Sequence, residues 1–320
     1  MSKGTIQDPD HIQIFEEARP RLLGLAYRIL GSLADAEDAV QDTFVKWAGV
    51  KWAGVNSAGT GRVEIDNPAA WLTTACTRRC LDLLRAGHRA RTSYVGAWLP
   101  EPVHASVENE AEGKLELAQS LTTAFLLMLE RLTPKERAAY LLHDVFEQPY
   151  AEIAGTLELS EAACRKLVSR AKAHIEKAEL RHQTPAAQQD RLLAAFQEAV
   201  CGGTTAELAV LLADDIRLST DSGGKVKALR KVLEGRAAVL AFLGKGLHSF
   251  WAGFAWHPAE LNGTRGFLIT EAGRTVASVT FAYDPAGRAR AIYIMRNPDK
   301  LARLNVAGEG TAGVGVPAIH

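Results

Sequence analysis

The sequence lacks the features that would place it outside the cell, in a membrane or around a metal. Four cysteines, at positions 76, 80, 164 and 201, are too few and too scattered for a disulfide framework. No apolar run is long enough to span a bilayer, and the opening MSKGTIQDPDHIQ has no apolar signal core. Lys plus Arg total 37 and so do Asp plus Glu, so overall charge selects neither nucleic acid nor membrane. A cytoplasmic protein without membrane attachment, metal or cofactor is the expectation. What remains is a chain of 320 residues, 47% apolar, enough for two or three compact domains.

Local patterns divide the chain. Phe15, Ala18, Leu22, Leu25 and Ile29 recur at helical spacing, and Gly31 ends that helix. Ser32 to Asp35 resembles a capping box that opens a second helix, with Ala36, Val40, Phe44 and Trp47 as its apolar positions. Asn67 and Pro68 supply a cap and first-turn proline for a third, ending near Ala86. Its apolar stripe of Leu72, Cys76, Cys80 and Leu84 makes both cysteines core residues rather than a thiol site. A stretch rich in turn formers and acid follows, then a second helical cluster. Beyond about residue 190 the pattern becomes α+β, with alternating strands such as TVASVTFAYD and ARAIYIM around the turn Asp284-Pro285-Ala286-Gly287.

The strongest single signal lies between Leu132 and Lys177. Thr133-Pro134-Lys135-Glu136 combines an N-cap, a first-turn proline and an N3 glutamate. A short helix bearing Tyr150, Ile153, Ala154 and Leu157 follows. Ser160 then caps a helix with an apolar seam of Cys164, Leu167 or Val168, Ala171 and Ile175, and a face carrying Arg165, Lys166, Ser169, Arg170 and Lys172. Short helix, tight turn, and helix with a basic face describe a DNA-reading helix-turn-helix; the plainer alternative is a helical hairpin with a solvated basic face.

This segment resembles region 4 of bacterial sigma factors, and LLGLAYRILGSLADAEDAVQDTFVKW resembles region 2 of the extracytoplasmic-function (ECF) class. The resemblance implies a subunit without catalytic residues of its own that binds the RNA polymerase core and recognises promoter DNA. It places Asp35, Asp38, Gln41 and Asp42 (with Glu37 beside them) on the clamp helices of the largest polymerase subunit, where acids complement basic partners. Phe125, with Leu126 and Leu129, would meet the polymerase flap or be core. Arg78, Arg79 and Arg85, followed by Arg89 and Arg91, could pair with promoter phosphates. Glu161, Ala162, Arg165 and Lys166 lie nearest the groove-entering end of the recognition helix, where Arg165 could read guanine and Glu161 cytosine. Ser169 shares that face, and Arg170 and Lys172 suit backbone contacts.

Two departures from the family pattern stand out. Glu158 occupies a turn position that prefers positive φ and often holds glycine, at a cost of about 1 kcal/mol. KWAGVKWAGV at 46–55 is a tandem repeat of five residues. Five residues turn a helix by about 500°, so Trp47 and Trp52 cannot share a face, and the second copy is expected to be loop.

The remaining third resembles the SnoaL-like α+β fold. WLPEP at 98–102, Asp221-Ser222-Gly223-Gly224-Lys225 and NPDKL at 297–301 resemble the signature set of the sigma-J subgroup, which usually has a glycine where Ser222 stands. The expected organisation is region 2 over 1–91, linker over 92–114, region 4 over 115–181, a short linker over 182–189, the α+β domain over 190–301 and a mobile tail over 302–320. The resemblance implies a regulator fused in cis. Trp98, Leu99, Pro100, Asp221, Gly223, Gly224, Lys225, Asn297, Pro298 and Asp299 are its expected interdomain contacts. Asp221 to Lys225 lacks the spacing of a nucleotide phosphate loop, so the glycines are read as a close approach of backbone to backbone. The rival reading is an enzyme or a sensor holding a small-molecule ligand. Its polar candidates are Asp221, His248, His257, Arg274 and Tyr283, with Phe250, Trp251, Phe254 and Trp256 lining a pocket or simply packing the sheet.

Overall fold

The computed structural model describes residues 9–50, 65–92, 94–104, 121–176 and 184–304. The second KWAGV copy, most of the acidic linker and the Gly-rich tail beyond residue 304 lie outside them. Three helices come first: α1 (Pro9–Leu30), α2 (Leu33–Gly49) and α3 (Pro68–Thr92). Gly31 takes φ 70° at the end of α1, and the Ser32 hydroxyl accepts from the Asp35 amide to start α2. Asn67 caps α3 through the Ala70 amide. Next come α4 (Thr123–Leu129), α5 (Pro134–Tyr140) running into a wider π turn at Leu141–Val145, α6 (Tyr150–Leu157) and α7 (Glu161–Glu176). Thr133 and Glu136 form the reciprocal capping box read from the sequence.

The rest is α+β. Helices α8 (Ala186–Cys201), α9 (Ala206–Leu211), α10 (Arg236–Ala241) and α11 (His248–Trp251) accompany one six-stranded sheet, and α12 (Pro298–Leu301) closes it. Its strands are β1 (Leu212–Asp221), β2 (Leu233–Glu234), β3 (Ala255–Leu261), β4 (Thr264–Glu271), β5 (Arg274–Tyr283) and β6 (Ala289–Met295). They are ordered β2-β1-β6-β5-β4-β3. All neighbours are antiparallel except β1 and β6, which run parallel with Asp221 opposite Met295. That one parallel pair has a consequence for the site: both strands end at the same edge, so the segments after Asp221 and after Met295 emerge side by side.

Contacts gather the chain into two units. Among the described residues, one holds those through His88 together with Leu132–Lys172; the other holds those within Arg89–Arg131 and from Ala173 onward. Helix α4 therefore groups with the sheet, although the sequence reading placed it with region 4.

In the first unit, the core joins α1, α2 and α3 to α5–α7. Arg137 donates to the Ile29 carbonyl (2.6 Å), and Arg21 to that of Phe146 (3.1 Å). The Arg28 guanidinium is fully buried over the Phe146 ring and donates to the Gly24 carbonyl; burial brings its pKa down to about 9. Cys76 and Cys80 are wholly buried, and burial, with the Cys76 hydrogen bond next, pushes the Cys80 thiol well up, as befits core residues.

In the second unit, Phe196, Trp251, Trp256, Phe267 and Phe281 form an aromatic core against the sheet, with edge-on contacts at 5.2–5.9 Å for Trp256–Phe267, Phe196–Phe281 and Trp251–Trp256. Trp251 and Trp256 thus pack in this core, while Phe250 lies exposed. A second cluster of Leu99, Leu261, Leu268, Met295, Leu301 and Leu304, with Leu127 of α4 against it, joins linker, sheet and α12.

Candidate functional site: a recognition helix and a linker clasp

Helix α7 sorts its residues by the 3.6-residue period. Cys164, Val168, Ala171 and Ile175 are buried, which settles the seam in favour of Val168. Glu161, Ala162, Arg165, Lys166, Ser169 and Arg170 are exposed on the other face. Ser160 caps the helix through the Ala163 amide, 3.2 Å away. Two of the residues expected on DNA are already engaged. Arg165 pairs with Glu161 at 2.7 Å and lies over the Tyr150 ring, and Lys172 pairs with Asp144 at 2.7 Å. Among the described residues Lys166 and Arg170 are exposed and carry no ion pair.

The turn before α7 contains the strained residue that the sequence pointed to. Glu158 sits at φ 54°, ψ 54°, and the Leu159 amide closes the turn on the Ala154 carbonyl at 3.0 Å. A residue of α3 meets this turn within the same unit. Arg78 donates to the carbonyls of Gly155 (2.7 Å) and Thr156 (2.9 Å) and pairs with the Glu158 carboxylate at 3.1 Å. Thr74 and Thr156 share a hydroxyl hydrogen bond at 2.8 Å. Arg78, expected on DNA, is here engaged by the helix-turn-helix. Arg79 pairs with Asp42 at 2.6 Å and Arg85 with Asp82 at 3.0 Å. On α2, Asp35, Asp38 and Gln41 are exposed, whereas Phe125 of α4 is only 8% exposed.

The three signature motifs converge in the second unit on one carboxylate. Asp221 has no exposed surface, and four donors reach it. Its Oδ1 accepts from the Tyr94 hydroxyl (2.6 Å) and the Gly223 amide (3.0 Å). Its Oδ2 accepts from the Leu99 amide (2.9 Å) and Lys300 Nζ (2.8 Å). Lys300 also donates to the Leu99 carbonyl at 2.6 Å, with its ammonium 4.4 Å from the Trp98 ring centroid. Asn297 donates to the Tyr94 oxygen (2.9 Å) while capping α12 through the Asp299 amide, with Pro298 in the first turn. Burial, then the Asp221 carboxylate, pushes the Tyr94 phenol well above its ordinary 10.0. It therefore stays protonated and donates.

The glycines answer to this packing. Gly223 (φ 56°) would place a Cβ 2.6 Å from the Asn297 amide nitrogen, and Gly224 (φ 75°) one 3.1 Å from the Val95 Cβ. What approaches them is side chain, not the backbone expected from sequence. Ser222 is not among the positive-φ residues, so no glycine is required there, and its hydroxyl accepts from the Gly224 amide. On the outer side, Lys225 pairs with Asp299 across solvent. Farther along the linker, Pro100 is buried, and Val103 exchanges hydrogen bonds with Asn262 at the β3–β4 turn. Tyr94 and Lys300 were missed as site residues. Lys300 sat inside a quoted motif, but Tyr94 had no local signal.

The chain matches the family profiles described as Sigma-70 region 2 over residues 14–90 and Sigma-70, region 4 over residues 122–175. It is 33% identical over 296 residues to the ECF RNA polymerase sigma factor SigJ of Mycobacterium tuberculosis, covering 89% of this chain and 91% of that one. The chain belongs to the ECF RNA polymerase sigma factors.

The crystal structure of the Mycobacterium tuberculosis extracytoplasmic function sigma factor SigJ superposes with a TM-score of 0.67 at 31% identity, covering 91% of this chain and 98% of that one. A probable ECF sigma factor, SigI, of the same organism is 32% identical over 58% of this chain and 61% of its own length. This sigma factor therefore directs transcription initiation, with RNA polymerase core and promoter DNA as its partners. Its helical sigma regions precede a SnoaL-like α+β domain. Among the described residues no helix is long and apolar enough to cross a membrane, and no group of three His, Cys, Asp or Glu could hold a metal.

Three of the residues weighed for an enzyme, Asp221, His248 and His257, are hydrogen-bonded within the fold. Asp221 is consumed by the clasp, His248 bonds the Val200 carbonyl at 2.7 Å, His257 bonds Thr270 at 3.0 Å, and Arg274 is exposed. The Tyr283 hydroxyl is buried without a partner.

Proposed function

We propose that the C-terminal α+β domain regulates this cytoplasmic sigma factor in cis by clasping the linker that joins region 2 to region 4. The observation that carries the reading is the buried Asp221 carboxylate, held by Tyr94 and Leu99 from the linker and by Lys300 after the sheet. A second grip supports it: Thr123 of α4, within the region 4 match, hydrogen-bonds Thr280 of β5 at 3.2 Å, both side chains buried. While clasped, linker and α4 are held by the α+β domain; released, region 4 is free to take its place on polymerase. In the open state the exposed face of α7 enters the major groove, Lys166 and Arg170 meet phosphates, and Asp35, Asp38 and Gln41 meet the clamp helices.

Run-off transcription tests this, using core polymerase and a promoter selected by genome-wide binding. Asp221→Ala, or a chain ending at Arg296, is expected to raise output severalfold over the full chain. Equal output from all three forms contradicts cis regulation.

A second reading, that the domain also senses a small ligand, rests on the Tyr283 hydroxyl and the Trp251 indole N–H, both buried without hydrogen-bond partners. Thermal shift across a metabolite panel checks it, and a panel that produces no shift counts against it.

A further inference from the structure

The loop between β1 and β2 carries charge that neither the clasp nor the recognition helix uses. Between Asp221 and Glu234 the sequence SGGKVKALRKVL contains Lys225, Lys227, Arg230 and Lys231 and no acid, in a chain whose charges balance overall at 37 to 37. Lys225 is taken by Asp299, and the nearest acid downstream, Glu234, is taken by Arg217 at 2.9 Å. Lys227, Arg230 and Lys231 are exposed and carry no ion pair among the described residues.

The loop is also built rather than merely tolerated. Thr220 donates to the Leu229 carbonyl (2.8 Å), Arg296 donates to the Lys227 carbonyl (2.7 Å), and the Leu229 side chain packs on the aromatic core. With its backbone tied at two carbonyls and one side chain, the loop holds its cations outward on a fixed track. Such a track loses little ordering entropy when it meets a regular array of anions. Gly224, at the head of this loop, packs on Val95, and Val95 follows the last residue of α3, Thr92, by three residues.

We propose that Lys227, Arg230 and Lys231 form a sequence-independent binding surface for the phosphate backbone of duplex promoter DNA. The α+β domain then adds affinity to the holoenzyme–promoter complex as well as restraining it. The inference rests on promoter DNA being a partner of this sigma factor. Three unpaired cations clustered without an acid match the uniform negative charge of DNA, and their lack of a patterned acidic counterpart fits a contact that does not read bases.

The test measures promoter-duplex binding by holoenzyme, the full chain with core polymerase, across a salt series. The full-length triple variant Lys227→Gln, Arg230→Gln, Lys231→Gln is compared with wild type, and Lys227→Gln alone serves as a graded control. For every phosphate left without its cation, the slope of log affinity against log salt should flatten by about 0.9. The triple variant is therefore expected to lose about two to three units of slope and the single variant about one. Discrimination between the promoter and a scrambled duplex should not change. An unchanged slope in the triple variant overturns the proposal. So does weakened binding to core polymerase with an unchanged DNA slope, which would assign the loop to an acidic protein surface. Wild-type holoenzyme that fails to bind the promoter would overturn the reading of the sigma regions first, and this surface with it.

Discussion

Two ion pairs join the same two segments of the α+β domain, and they are unequal. Asp221–Lys300 lies inside and Lys225–Asp299 outside, four residues apart on one segment and adjacent on the other. The inner carboxylate is fully buried with four donors around it; the outer pair has side chains 50% and 64% exposed. Water already satisfies the outer pair, so forming it gains little, and long side chains lose entropy in making it. Losing one inner partner leaves a buried charge with no solvent to take over. Burial and the number of donors, more than the pairing of opposite charges, make one contact a clasp and the other an ornament of it.

The largest effect is expected from the inner pair. Asp221→Ala should cost about 3–5 kcal/mol locally. Cleavage within 94–104 under mild proteolysis should then rise by about two orders of magnitude or more, because cleavage follows the open population. Gly223→Ala comes next. It meets Asn297 and also takes positive φ, which together should cost about 1–3 kcal/mol and raise cleavage roughly tenfold or more. Arg78→Ala tests a case of intermediate exposure, since its side chain is 44% exposed yet bonds two carbonyls. About 1 kcal/mol is expected, seen as faster amide exchange at Glu158 and Leu159. Lys225→Ala should change cleavage by less than about threefold, and less again at high salt.

Proton linkage gives the finest test. The folded-state pKa of Tyr94 is raised by burial and by Asp221, so its contribution is complete below the ordinary value of 10.0 and lost as pH rises through the higher folded value. Protection of the linker from proteolysis should hold up to about pH 10 and fall above it, and Tyr94→Phe should remove that dependence.

The helical part of the fold was legible because its signals are local. Ser32, Asn67, Thr133 and Ser160 each act within four residues, and the α7 face follows the helical period. Even the unusual φ of Glu158 was readable, because the position in the turn demands it whatever residue stands there. The clasp was legible only as three suspicious motifs. Tyr94 and Asp221 are 127 residues apart and Tyr94 and Asn297 are 203, so no spacing links them. What brings them together is the parallel pairing of β1 with β6, which is a property of the sheet and not of any segment. The attachment of α4 to β5 through Thr123 and Thr280 was invisible for the same reason. Phe125, read as meeting the polymerase flap or as core, is buried, and Arg78, read as able to pair with promoter phosphate, also bonds the recognition turn.

The most direct measurement is run-off transcription with core polymerase at matched concentrations of wild type, Asp221→Ala and Lys225→Ala full-length chains. The clasp account predicts output from Asp221→Ala raised severalfold, with Lys225→Ala within about twofold of wild type, in keeping with a surface pair. Equal output from Asp221→Ala and wild type, with both chains folded, would contradict it.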